Sequence, residues 1–127
     1  MNYLFDSDIV INYFNNHLPA VDLIAKLTQE DSELAVSALT ITEVTSGWDK
    51  EKEKIYLPRL YRLFSVENTT QKISESAGRW RYDFMKKGVT LEVVDMTIAA
   101  TAYLNNYILV TGNIKDYPMK EVKLYKD

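Results

Sequence analysis

The stretch Tyr3-Leu4-Phe5-Asp6-Ser7-Asp8-Ile9-Val10-Ile11 carries two kinds of local order. Tyr3-Leu4-Phe5 is a short apolar run ended by an acid. The apolar residues Ile9, Val10, Ile11, Tyr13 and Phe14 then predict a helix over about residues 9–15, with Asp8 placed to cap it. The same change from strand to helix recurs downstream. Pro19 suits the first turn of a second helix carrying Val21, Leu23, Ile24 and Leu27, and Leu34-Ala35-Val36 reads as a second strand. Residues 40–48 form a helix that carries Glu43. Pro58 favours a fresh helical start, with Leu60, Tyr61, Leu63 and Phe64 as its apolar stripe, ahead of a short strand at Ser65-Val66-Glu67. Ile73, Ala77, Trp80 and Phe84 recur at helical spacing within residues 70–87, and Gly88 is a natural stop. A helix over residues 95–105, a strand over 107–111 and a last short strand over 122–125 complete the pattern. Parallel neighbours need crossover connections, so this alternation predicts an α/β fold: one domain over residues 1–127, its central parallel sheet flanked by helices on both faces.

Composition narrows the chemistry. A chain of 127 residues with 46% hydrophobic content fits one compact core. No window approaches the roughly 18 apolar residues of a membrane span, and the opening residues lack the basic start and long apolar stretch of an export signal. A cytoplasmic protein without membrane contact is the expectation. There is no cysteine and a single histidine, His17, which excludes thiolate and multi-histidine metal sites. Any metal must therefore sit on oxygen, which points to Mg²⁺ or Mn²⁺. The net charge of −3 conceals a division. Residues 50–87 hold ten of the 15 basic residues against five of the 18 acids, a local charge of +5, and the remainder carries −8. A basic middle within an acidic chain suits phosphate contact beside a cation site, although a pair of solvated helices has the same composition.

Four acids stand at the edges of predicted elements or within them: Asp6 after the first strand, Glu43 in a mid-chain helix, Asp95 opening a small-residue helix, and Asp116 after the late strand. Singly, each has an ordinary explanation. Asp95 serves as an N-cap, Asp6 and Asp116 as turn residues, and Glu43 as a solvated side chain. Together they are less ordinary, because ligands of such sheets bind beyond the carboxyl ends of the strands. Leu39, Ile41, Val44 and Trp48 around Glu43 predict a helix packed on most of its circumference, where a carboxylate needs a partner or a metal. Ala99, Ala100 and Ala102 allow their helix to approach the sheet closely and bring Asp95 near Asp6.

The segments Leu4-Phe5-Asp6-Ser7-Asp8, Ile41-Thr42-Glu43-Val44, Asp95-Met96-Thr97-Ile98-Ala99-Ala100-Thr101-Ala102 and Val110-Thr111-Gly112-Asn113-Ile114-Lys115-Asp116-Tyr117-Pro118 resemble, in order and approximate spacing, the four acidic motifs of VapC-like PIN domains. The resemblance implies a PIN-like nuclease domain. Its activity would be that of a divalent-metal-dependent endoribonuclease, leaving a 5′-phosphate and a 3′-hydroxyl, and its role that of the toxin of a type II toxin–antitoxin pair. It implies Asp6, Glu43, Asp95 and Asp116 as catalytic metal ligands, directly or through water, with Ser7, Asp8, Thr111 and Asn113 as supporting polar residues. The implied partners are an RNA substrate, an antitoxin protein and a second copy of the chain. Lys86, Lys87, Arg79 and Lys115 are the candidate RNA contacts. Two positions depart from the commonest pattern, Asp8 and Gly112; Gly112 stands where many relatives carry Arg, which removes a phosphate contact.

Other readings compete. Asp6-Ser7-Asp8-Ile9-Val10 and Val110-Thr111-Gly112-Asn113 also resemble haloacid-dehalogenase-type phosphatases, but those enzymes need a later lysine and acidic pair, and sixteen residues follow Thr111. A non-toxin RNA-processing PIN nuclease and a catalytically silent RNA- or protein-binding module share the fold; the presence of all four acids argues against the silent one. Trp80 follows a helical stripe and reads as core, while Tyr56 and Tyr61 beside Arg59 and Arg62 are candidates for substrate or subunit contact.

Overall fold

The computed structural model describes residues 1–126. Four strands, β1 (Asn2–Phe5), β2 (Glu33–Ser37), β3 (Ser65–Glu67) and β4 (Ile108–Val110), form one sheet in the order β3-β2-β1-β4. All pairings are parallel, with Tyr3 opposite Leu34 and Ile108, and Val36 opposite Val66. Side chains alternate across the sheet, so each strand feeds two cores. Leu4, Ala35 and Leu109 join Ile73, Ala77, Trp80 and Ile98 under the helices α5 (Gln71–Met85) and α6 (Val93–Leu104). Tyr3, Phe5, Leu34, Val36 and Val110 pack on the other face against Val10, Phe14, Ile24, Leu27, Val44 and Leu60. Those residues come from α1 (Ser7–Phe14), α2 (Leu18–Thr28), α3 (Ala38–Thr45) and α4 (Lys50–Leu63). The parallel sheet covered on both faces is thus observed, and the run of buried residues from Met96 to Ala102 shows how small side chains seat α6. Among the described residues no helix is long and apolar enough to cross a membrane.

Beyond shifts of a residue or two at strand and helix ends, five features differ from the sequence reading. Asp6, rather than Asp8, is the N-cap of α1, because its carboxylate reaches the Ser7 N–H. Helix α4 runs through Pro58 instead of starting there. It begins at the cap Asp49, which accepts from Lys52 N–H at 2.9 Å, and Pro58 and Lys54, the pair between which the helical bond is missing, are both exposed residues. Helix α3 ends at Thr45, short of Trp48. Helix α6 starts two residues early at Val93 with Glu92 as its cap, leaving Asp95 in the first turn. The expected last strand reduces to a parallel bridge of Leu124 to Leu109, held by Leu109 N–H to Lys123 O and Tyr125 N–H to Leu109 O, both 2.8 Å.

The chain crosses from β1 to β2 on one side and places β4 on the other. The carboxyl ends of β1 and β4 therefore flank the point where strand order reverses, the usual position of a ligand crevice in open α/β sheets.

Candidate active site

Asp6 leaves β1 at that crevice and is 7% exposed. Its backbone N–H still bonds Val110 O at 2.9 Å, so the acid is fixed by the last rung of the sheet. Its carboxylate accepts three hydrogen bonds: Ser7 N–H on Oδ1 at 2.8 Å, and on Oδ2 the hydroxyls of Thr111 at 2.9 Å and Tyr117 at 2.7 Å. A buried carboxylate that accepts several hydrogen bonds is held in one orientation. Burial, then the charge and hydrogen bond of Asp6, push the Tyr117 hydroxyl far above its ordinary range, so it stays a donor.

The second acid is differently placed than its neighbours suggested. Helix α3 buries Thr40 and Val44, and Glu43 is exposed between the crevice and solvent. Ser7 Oγ donates to Glu43 Oε1, which ties α3 to the start of α1. Beside Glu43 lies a cavity of about 320 Å³ whose wall includes Phe14, Trp48, Tyr56 and Lys52. The three rings sit 5.2–5.4 Å apart, and the Arg59 guanidinium lies over Phe14 and Tyr56 at 5.8 and 5.5 Å. Tyr56 belongs to this wall, whereas Tyr61 is exposed elsewhere on α4.

Asp95 reports the electrostatics. Burial and then Asp6, Asp116, Glu43 and Glu92, all negative, push its carboxyl up from 3.8 to about 6. Asp6, Asp116 and Glu43, the other three acids singled out in the sequence, thus act on Asp95 through their charge, as does Glu92, which no sequence motif marked. Asp116 is half-buried at the end of a short 3-10 helix (Ile114–Asp116). Asp8 turns to the loop after β4, where Oδ2 accepts from Gly112 N–H at 2.8 Å and Asn113 Nδ2 at 3.4 Å. Burial and Asp6 raise its carboxyl, against the opposing bonds from Gly112 and Ile9. Asn113 N–H in turn donates to Thr111 Oγ1 at 3.0 Å.

Every donor near the crevice is an oxygen or an amide, a set suited to a hard divalent cation. Among the described residues no three Asp, Glu, His or Cys side chains form a ready cage for an ion. The donor set fits an ion that keeps several waters, as Mg²⁺ does.

The basic candidates divide. Lys115 shares the short helix with Asp116. Arg79 and Lys86 lie over the exposed Tyr82 ring at 5.6 and 5.5 Å, and Lys87 over Phe84 at 5.1 Å, near the carboxyl end of α5. That end joins the start of α6, where Asp95 lies, through residues 86–92. The sequence reading missed Tyr117, Glu92 and the aromatic wall. Tyr117 stands one residue after Asp116, yet nothing in a sequence distinguishes a hydroxyl turned back to Asp6 from an ordinary core tyrosine.

The PIN domain family model matches residues 3–122. Ribonuclease VapC2 of Rickettsia felis is 27% identical over 125 residues, covering 92% of this chain and 90% of that protein. Ribonuclease VapC10 of Mycobacterium tuberculosis is 29% identical over 118 residues, covering 93% and 87%. Among solved structures, VapBC2 from Rickettsia felis bound to a promoter DNA fragment has a TM-score of 0.84 at 23% identity over 98% of both chains. A toxin–antitoxin complex from Klebsiella pneumoniae has a TM-score of 0.77 at 28% identity, covering 98% of this chain and 99% of that one.

Proposed function

The chain belongs to the PIN domain family, and from that premise we propose that it is a divalent-metal-dependent endoribonuclease, the VapC-like toxin of a type II toxin–antitoxin pair. The observation that carries the proposal is Asp95, raised to about 6 beside Asp6, Asp116 and Glu43 at the carboxyl ends of β1 and β4. Like charges gathered at a ligand crevice destabilise the empty fold and favour a cation. Asp6, Glu43, Asp95 and Asp116 would hold Mg²⁺ or Mn²⁺, in part through water. Such an ion supplies an activated water at neutral pH and neutralises charge on the scissile phosphate.

The protein's own part is orientation. Ser7 N–H, Thr111 and Tyr117 fix Asp6, and Ser7 Oγ aims Glu43, so Ser7 at the start of α1 contacts both the acid that precedes that helix and the acid on α3. Outer partners of this kind commonly tune metal affinity or activity by about 10–100-fold. Lys115, with Arg79, Lys86 and Lys87 near the α5 end, would contact RNA phosphates. An antitoxin protein and a second copy of the chain are the proposed protein partners, and the cytoplasm is the compartment where RNA would be met. The similarity to curated VapC ribonucleases and to toxin–antitoxin complexes supports this reading.

Purified protein incubated with a mixture of structured and single-stranded RNAs should cut them in Mg²⁺ or Mn²⁺ and stop in EDTA. Cleavage that persists in EDTA would refute the metal-dependent mechanism.

A further inference from the structure

The two departures from the common motif, Asp8 and Gly112, touch each other. Asp8 Oδ2 accepts from Gly112 N–H at 2.8 Å, while Oδ1 accepts from Ile9 N–H at 2.9 Å. A Cβ at residue 112 would lie 2.6 Å from Asp8 Oδ2, closer than such atoms approach. The backbone does not itself require glycine there, since Gly88 is the glycine with positive φ among the described residues. What the missing side chain admits is the Asp8 carboxylate.

The loop held in this way carries much of the crevice. Thr111 precedes Gly112 and reaches Asp6; Asn113 follows and donates to Asp8; Asp116 and Tyr117 end the segment, one beside Asp95 and the other on Asp6. We propose that Asp8 is a positioning residue whose carboxylate latches residues 111–117 to the start of α1, and that Gly112 is the residue that makes room for the latch. An alanine at 112 meets the far end of a short side chain, which can rotate away. Gly112→Ala therefore opens the latch from the loop side, as Asp8→Ala opens it from the helix side, where the bond from Ile9 N–H is lost as well. The consequence for RNA cleavage rests on the ribonuclease reading; the contact does not.

The test compares the parent, Asp8→Ala, Gly112→Ala, the double variant and Asp8→Asn in RNA cleavage with Mn²⁺ and in metal-free melting temperature. Each single alanine variant should lose roughly 10–100-fold in cleavage and melt a few degrees lower. The double variant should be no worse than either, because the second change removes a contact already lost. Asp8→Asn, whose amide oxygen still accepts from Gly112 N–H, should retain most of the activity. Losses that multiply in the double variant, or an Asp8→Asn as impaired as Asp8→Ala, would overturn the latch. If the parent cuts none of the RNAs, the ribonuclease reading has failed and the melting temperatures alone decide the latch by the same comparison.

Discussion

Two acidic assemblies lie in this small domain and differ in what surrounds the charge. On the α5–α6 face of the sheet, Tyr107 OH is 2.7 Å from both Glu33 Oε2 and Glu67 Oε2, and Ser65 Oγ donates to Glu33 Oε2 at 2.7 Å. These bonds hold the Glu33 carboxyl below its ordinary range, while burial and the two carboxylates push the Tyr107 hydroxyl up, so it remains a donor. At the crevice the acids meet one another, and Asp95 is pushed up to about 6. The first assembly is satisfied from within by hydroxyls and ties β2 and β3 to the residue before β4. The second gathers like charges, and its hydroxyls orient carboxylates without neutralising them. Structure explains the first; the second calls for a cation.

The largest effect that separates the two concerns cleavage. Asp95→Asn should reduce RNA cleavage by more than about 100-fold, since removal of a ligand exceeds the usual loss from its outer partners. A far-ultraviolet circular-dichroism spectrum like the parent's would show that the fold survives. Retained activity would place the chemistry elsewhere. Tyr117→Phe should lower cleavage by about 10–100-fold, because Asp6 loses one of three donors and the ring that fills the core remains. Cleavage within twofold of the parent would make Tyr117 a core residue only. Tyr107→Phe is the matching change in the other assembly, and it should leave cleavage near the parent's while lowering stability by about 1–2 kcal/mol, as a buried donor to carboxylates is lost. A urea melt measures it, and a cleavage defect equal to that of Tyr117→Phe would erase the distinction drawn between the assemblies.

How much of this was legible in the sequence depended on the range of the interaction. Short apolar runs located the sheet strands and helical spacing most of the helices, because a strand buried on both faces and a helix buried on one each leave their own mark. Asp6, Glu43, Asp95 and Asp116 were legible as a set through their positions at element edges and their resemblance to known motifs. The partners were not. Asp6 and Asp8 are two residues apart and either could have capped α1; the choice follows from Gly112, more than a hundred residues away, which draws Asp8 outward. Glu43 seemed confined by its apolar neighbours, yet Thr40 and Val44 carry the buried contacts of α3 and leave the acid on the open side. Pro58 reads as a start because its local rule is strong, and its place on the exposed side of α4 makes the exception cheap. Tyr117, Glu92 and the aromatic wall by Glu43 arise from tertiary packing that no local pattern announces.

The central claim is that the crevice acids form a cluster of like charge that a divalent ion relieves. Thermal melting of the parent and Asp95→Asn, each with EDTA and with Mn²⁺, tests it without substrate or partner. Asp95 suits the comparison because Asp6 is the cap of α1 and its replacement would confound charge relief with a lost cap. With a folded-state value of about 6 against 3.8, Asp95 binds its proton more readily when folded. Its unfavourable contribution is therefore absent below about pH 3.8, grows through that window, and is complete above about pH 6. In EDTA, Asp95→Asn should match the parent near pH 4 and melt higher at pH 7, less a few tenths to about 1 kcal/mol for the acid lost from the first turn of α6. At pH 7 and a hundredfold excess of Mn²⁺ over its dissociation constant, the parent should gain about 2.7 kcal/mol and the variant distinctly less. A Mn²⁺ shift of the same size in both proteins, or none in the parent, would contradict the account.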